Sequence, residues 1–163
     1  MYVSEITGRS YSKADFLEML EKRIRKHNRL HLDIDLNKRY AKGPGKADKY
    51  LVHVLQRIYG KRIHFDGEWK LSSETLDDWV GQHLSSILAG KTPDFDGIMR
   101  PLQVISTTEL LQACELLEIK GEEPATPHQF IQKLQEIYPQ TKSSFLKSFL
   151  HIEESTKNKE ENS

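Results

Sequence analysis

Three groups of residues have types and spacings that could do chemistry. Gly43-Pro44-Gly45-Lys46 stands just before a helical pattern. A glycine loop leading into a helix presents backbone N–H groups to phosphate, and a lysine beside it adds positive charge. Ala47 follows where a Mg²⁺-holding P-loop needs Ser or Thr. Pro44 also removes one N–H from the cradle, so an ordinary turn is the competing reading. Asp77 and Asp78 form the second group. In the first turn of a helix they could hold Mg²⁺ beside a nucleotide, or simply offset the helix dipole. The third group is Lys22, Arg23, Arg25, Lys26 and Arg29. Such a run can neutralise nucleic-acid phosphates or serve as a solvated helix face.

Other chemistries find little support. The histidines form no zinc set, and His27 and His31 read as surface residues near a helix end. A single cysteine, Cys114, excludes an intramolecular disulfide framework and a Cys₄ metal site within one chain. It falls on an apolar helix face, as a small core residue does. No metal-binding residues are assigned. No Gly-x-Ser-x-Gly elbow appears, so a serine hydrolase of that type has no support. The opening residues lack the apolar core of a signal peptide, and no apolar run is long enough to span a membrane. The expected compartment is the cytoplasm, with no membrane partner.

The 163 residues contain 24 basic and 24 acidic side chains, a formal charge of zero. That balance hides an asymmetry along the chain. Residues 1–60 carry 13 basic and 7 acidic side chains, whereas residues 101–163 carry 6 and 10. Positive charge is thus concentrated where the basic run lies, as in chains with an anion-facing surface.

The elements that must position these groups are mainly helices. Ser12 is placed to cap a helix running to about Asn28, with Phe16, Leu17, Leu20 and Ile24 at helical spacing. Leu32-Asp33-Ile34-Asp35-Leu36 alternates with the period of a strand. A second helix carries Leu51, Val52, Leu55 and Ile58 and stops at Gly60. Asp66-Gly67, between Arg62–Phe65 and Glu68–Leu71, predicts a hairpin turn. A third helix begins near Ser73 or Thr75, with Leu76, Val80, Leu84, Ile87 and Leu88 as its buried stripe. A loop follows from Lys91 to Pro101. Ser106 and Glu109 fit a capping box ahead of Leu110, Leu111, Cys114 and Leu117. Thr126-Pro127-His128-Gln129 predicts another start, and Phe130, Ile131, Leu134 and Ile137 form that helix's apolar face. After Pro139, Thr141 restarts a last helix through Phe145, Leu146, Phe149 and Leu150. The expected boundaries are one domain over 1–152 and a disordered tail over 153–163. Within the domain, 1–30 is the basic helix region and 101–152 the C-terminal helical region.

Three separated segments, taken in order, resemble one family. Tyr2–Gly8 with Asp15-Phe16-Leu17 and Glu21–Lys26 resembles the lead-in of the archaeal and eukaryotic tRNA 2-thiolation enzymes, which are PP-loop ATPases of the adenine nucleotide alpha hydrolase-like group. Leu71–Asp78 and Leu84–Gly90, then Arg100-Pro101-Leu102, resemble the family's Gly-His-x-Leu-Asp-Asp segment, its following helix and an Arg-Pro-Leu. Phe130-Ile131, Leu134, Tyr138–Lys142 and Leu146–Phe149 resemble its closing helices.

The family binds ATP on a Ser-Gly-Gly-x-Asp-Ser loop and adenylates a tRNA base. The resemblance places Gly43–Asp48 at that loop, without either serine or the aspartate in its place. Ser73-Glu74 replaces Gly-His, while Leu76-Asp77-Asp78 is kept. The zinc-binding, sulfur-carrying and cluster-binding cysteines are missing. The middle is too short for a complete doubly wound sheet.

The resemblance therefore implies an α/β, mostly helical fold, a remnant of two or three strands packed by five or six helices. It also implies parallel pairing where Asp66-Gly67 reads locally as a hairpin, and the hairpin is the expectation taken forward. The expected function is that of a degenerate, non-catalytic relative binding tRNA or another RNA, or acting as the accessory partner of an active paralogue. Phosphate contacts would come from Lys22, Arg23, Arg25, Lys26 and Arg29. Residual binding of ATP with Mg²⁺ would fall to Gly43, Gly45, Lys46, Asp77 and Asp78. The main alternative is a helical protein–protein interaction module. A helix-turn-helix DNA binder built from 126–152 ranks lower, because that segment has few basic residues.

Overall fold

Ser12 does what its sequence position predicts. Its hydroxyl accepts the Asp15 N–H at 3.3 Å and opens α1, Lys13–His31. In the computed structural model, which describes residues 1–91, 97–125, 129–138 and 140–162, this helix lies near the centre of the architecture. Before it, β1 (Tyr2–Val3) and β2 (Ser10–Tyr11) form a short antiparallel pair. After it come β3 (Arg39–Tyr40), α2 (Lys46–Tyr59), a 3₁₀ turn at Gly60–Arg62 and β4 (His64–Trp69). The chain continues through α3 (Leu76–Leu88), α4 (Thr107–Leu116), α5 (Gln129–Ile137) and α6 (Thr141–Glu161). The fold is thus α/β and mostly helical, with six α-helices among the described residues.

The main core gathers Phe16, Leu20 and Ile24 of α1 against Tyr50, Leu51, Val54 and Leu55 of α2. Tyr40 and Phe65 line it from the strands, Ile63 from just before β4, and Leu110, Ala113 and Cys114 from α4. Each fully buried large apolar side chain contributes roughly 1.5–3 kcal/mol relative to exposure, so this cluster is the dominant stabilising unit. A smaller cluster joins Leu76, Trp79 and Val80 of α3 to Ile131 of α5. Leu146 of α6 packs against both.

Several expectations are corrected. Asp66-Gly67 is not a turn: both residues lie inside the continuous strand β4, which pairs in parallel with β3. Gly67 is needed for another reason. A Cβ there would overlap the Cβ and carbonyl of Arg39, so the two backbones can approach only at a glycine. Residues 32–36 form no strand. Ile34 and Leu36 reach the core from irregular backbone. Asp35 accepts the Asn37 N–H at 2.9 Å, and its carbonyl accepts the Tyr40 hydroxyl at 2.7 Å.

The buried face of α3 is Leu76, Asp77, Trp79, Val80 and His83, while Ile87 and Leu88 are exposed. His27 is also buried, at 2% exposure, rather than on the surface. The polar segment after residue 152, expected to be disordered, continues α6 as helix to Glu161. His31 Nδ1 lies 2.8 Å from Glu154 Oε1 there. The cap predicted at Thr126-Pro127-His128, the break at Pro139 and residues 92–96 of the loop expected from Lys91 to Pro101 lie outside the described residues.

Candidate functional site

Parallel strands deliver the loops that follow them to the same end of a sheet, where α/β proteins place their ligand crevice. Here β3 leads into residues 41–45 and then α2, while β4 leads into residues 70–75 and then α3. The two loops meet. Gly45, Asp48, Ser73, Glu74 and Asp78 share a cleft of about 380 Å³ with Glu122 and Glu123. The sequence-selected loop and Asp78 are therefore brought together.

What fills the loop is the chain's own carboxylate. Asp48 Oδ2 accepts the Gly45 N–H at 3.1 Å, and Asp48 Oδ1 accepts the Ser73 hydroxyl at 2.7 Å. Asp48 crowds Gly43 so closely that a Cβ at Gly43 would overlap its carboxylate. The Lys46 N–H donates to the Glu122 carbonyl at 3.0 Å, and Gly45 bridges to Glu122. Pro44 has no N–H. A Cβ at Gly121 would lie 2.8 Å from the Pro44 carbonyl oxygen, so residues 121–122 run tightly against the loop. Two amides that could hold phosphate are thus engaged internally, that of Lys46 on a carbonyl and that of Gly45 on an anion the sequence itself supplies.

The charged side chains lining the cleft itself, Asp48, Glu74, Asp78, Glu122 and Glu123, are acidic. Lys46 is paired with Glu123, whose hydrogen bond holds its ammonium charged well above ordinary lysine. Asp78 accepts the Thr75 N–H at 2.9 Å in a capping box. Burial raises its pKa against those Thr75 bonds, and Glu74 and Asp77 add to the rise. Glu74 takes Arg100 Nε at 2.5 Å. Asp77, the other expected ligand, turns away from the cleft. Its Oδ2 accepts the Thr107 N–H at 2.6 Å, and its Oδ1 lies 2.7 Å from Lys142 Nζ. Lys142 is 2% exposed and also meets Glu5 at 2.9 Å. Burial opposes its charge, but Asp77 and Glu5 outweigh that and raise its pKa. Asp77 therefore ties α3 to α6.

The basic run of α1 divides in the same way. Arg23 points inward and binds the fully buried Glu109 at 2.8 Å, with the Val104 carbonyl at 3.3 Å and the Ser4 hydroxyl at 3.2 Å. Ser4 donates its own hydroxyl to Glu109. Lys22 pairs with Glu18 at 2.6 Å, and Arg25 with Glu21 at 2.7 Å, both one helical turn away and exposed. Lys26 and Arg29 are exposed with no carboxylate at ion-pair distance among the described residues. The sequence reading missed Asp48, Glu109 and Lys142. Asp48 carried a legible signal, since an acidic residue three positions after an N-cap folds back on it. Glu109 was legible as a capping residue but not as the partner of Arg23.

Cys114 is 1% exposed, and burial pushes its thiol up to about 11 despite nearby Lys46. It donates weakly to the Lys46 carbonyl at 3.8 Å. A single neutral thiol is a packing group, not a ligand set or nucleophile. Among the described residues, no group of three or more His, Cys, Asp or Glu is arranged to hold a metal ion. No helix of the described residues is long and apolar enough to cross a membrane.

Fold and site together define a small α/β chain in which one parallel strand pair feeds two loops into an acidic cleft. No family model matches the chain, and no curated protein matches it. Among solved structures it is similar to the U34-tRNA thiolase NcsA from Methanococcus maripaludis with its [4Fe-4S] cluster, at a TM-score of 0.69 and 15% identity. The match covers 93% of this chain and 83% of that one, and at that identity it shows a shared fold. The residues here do not fit that cluster. An iron–sulfur cluster needs several thiolates, and this chain has one cysteine.

Proposed function

We propose that this chain is a non-catalytic relative of tRNA-thiolating PP-loop enzymes that binds tRNA or another RNA, as an accessory to an active relative. The observation that carries the non-catalytic reading is the Asp48 carboxylate seated in the loop between Gly43 and Gly45. Bringing a phosphate there places anion against anion in a partly buried cleft, where like charge is costly. The fold likeness to a tRNA thiolase supports the RNA reading.

On α1, Lys26 and Arg29 are the leading phosphate contacts. Lys22 and Arg25 can exchange exposed intrahelical pairs, worth little in water, for phosphate. Arg23 is committed to Glu109 and takes no part. The test is a tRNA titration at two salt concentrations. Binding should weaken as salt rises. The Lys26→Ala/Arg29→Ala variant should bind less tightly and flatten the log–log salt slope by about 1–2, the release of counterions at two phosphates. Absence of tRNA binding at low salt overturns the RNA reading and favours the protein-interaction alternative.

A further inference from the structure

We infer that the end of the β3–β4 ladder is a stacking platform for an unpaired nucleotide of single-stranded RNA, with Trp69 taking the base and Lys38, Lys42 and Lys70 the flanking phosphates. The inference rests on the RNA-binding reading and names a surface separate from α1.

The observations converge at one place. Of the two tryptophans, Trp79 is buried at 2% exposure, whereas Trp69 is 57% exposed at the last position of β4. A large ring left in water at the end of a strand is held there by backbone, not by a core. Tyr40 and Trp69 are ladder partners, and the Ala41 N–H donates to the Trp69 carbonyl at 2.8 Å. The ring is thus attached to backbone paired within the ladder, just past the register shift between Arg39 and Tyr40. Lys38 Nζ sits 4.0 Å from its centroid, a cation–π contact that places an ammonium beside the aromatic face.

Lys70 follows Trp69 directly. Lys70 and Lys42 line a small cavity of about 190 Å³ between the two loops, floored by Leu51, Val52 and Leu71. No described carboxylate pairs with Lys38, Lys42 or Lys70. Arg39 alongside is neutralised by Asp66 at 2.5 Å, Glu68 is the exposed acid on the same strand, and Asp48 on the cavity wall is bound to Gly45 and Ser73. An exposed aromatic with one lysine over a face and two more on the adjoining loops is an arrangement that can bind single strands without reading sequence: the open face stacks a base and the ammonium groups follow the backbone. Lysine is depleted at protein–protein interfaces, so the unpaired Lys38, Lys42 and Lys70 favour a polyanion over a protein partner.

The burial of Trp79 makes intrinsic fluorescence a reporter of Trp69. The experiment titrates the full chain with a short oligouridylate and reads tryptophan quenching, with tRNA binding followed in parallel. The expected result is saturable quenching. Trp69→Ala should weaken oligouridylate binding roughly 5- to 150-fold, the range for losing one stacked base, while Trp69→Phe retains most of it. Lys38→Ala/Lys70→Ala should weaken binding and lower its salt dependence. Binding of tRNA with no quenching, and with Trp69→Ala unchanged, overturns the platform and leaves the RNA reading standing. Binding of neither RNA overturns both. A glutamate-rich peptide that quenches and competes as well as the oligouridylate reassigns the patch to acidic proteins and overturns the inference. Should Trp69→Ala fail to fold, quenching in the native chain and the weakened binding of Lys38→Ala/Lys70→Ala decide, and native-like binding by that lysine variant overturns the platform.

Discussion

Arg23, Asp77 and Asp48 show how one residue type serves different ends depending on what it faces. Arg23 has the sequence context of a phosphate contact, yet its guanidinium closes over Glu109, which has no access to water. Removing one partner leaves a buried charge alone, so Arg23→Ala should lower stability by about 3–5 kcal/mol in denaturant unfolding. RNA affinity per folded molecule should stay near native. A loss of RNA binding at unchanged stability would restore Arg23 to the surface role. His27 gives a pH prediction. Burial, then the neighbouring His31, push its pKa down from 6.5 to about 4, against a backbone contact from Arg100 that raises it. Between those values the unfolded chain binds a proton that the folded chain does not, so stability must fall as pH drops through that window. From about pH 7 to about pH 5 the loss should be about 2 kcal/mol, and His27→Leu should remove most of that slope. An unchanged slope in the variant would show that His27 is not the group responsible.

At the scale of elements, sequence legibility followed local chemistry and stopped where distant contacts decide. The capped starts of α1, α3 and α4 were readable because Ser12, Thr75 and Ser106 act on neighbours three residues away. The buried face of α3 was not, because an apolar stripe cannot announce that Asp77 is buried against Lys142 from α6. The alternation at 32–36 looked like a strand because Ile34 and Leu36 are drawn inward, yet the ladder forms a few residues later at Arg39–Tyr40. Asp66-Gly67 failed most instructively. A turn and a close strand crossing both require glycine, and only the long-range partner Arg39 separates them. Gly67→Ala should therefore cost about 1–3 kcal/mol through strain at the β3–β4 ladder, seen as a lowered denaturation midpoint. A variant as stable as the native chain would mean that the strands can separate without cost. The parallel pairing was legible only through the family resemblance, which carries tertiary information that local signals lack.

For the whole molecule, the neutral formal charge conceals a division of labour. Many cations that seemed available are neutralised within the fold: Arg23 by Glu109, Lys46 by Glu123, Lys142 by Asp77 and Glu5. Cations that face water include those on α1 and beside Trp69, and also Arg9, Lys61, Arg62 and Lys133. The candidate site was half legible. The loop and Asp78 do share a cleft, but its sign was not readable, since Glu122 and Glu123 join it from far along the chain. The crevice between the two loops is thus lined largely by carboxylates. The most direct test is equilibrium binding of Mg²⁺-ATP to the native chain, with tRNA present and absent, combined with measurement of pyrophosphate release. The account predicts no saturable ATP binding and no pyrophosphate, while tRNA is still retained. Saturable ATP binding, or pyrophosphate release that Lys46→Ala abolishes, would contradict it.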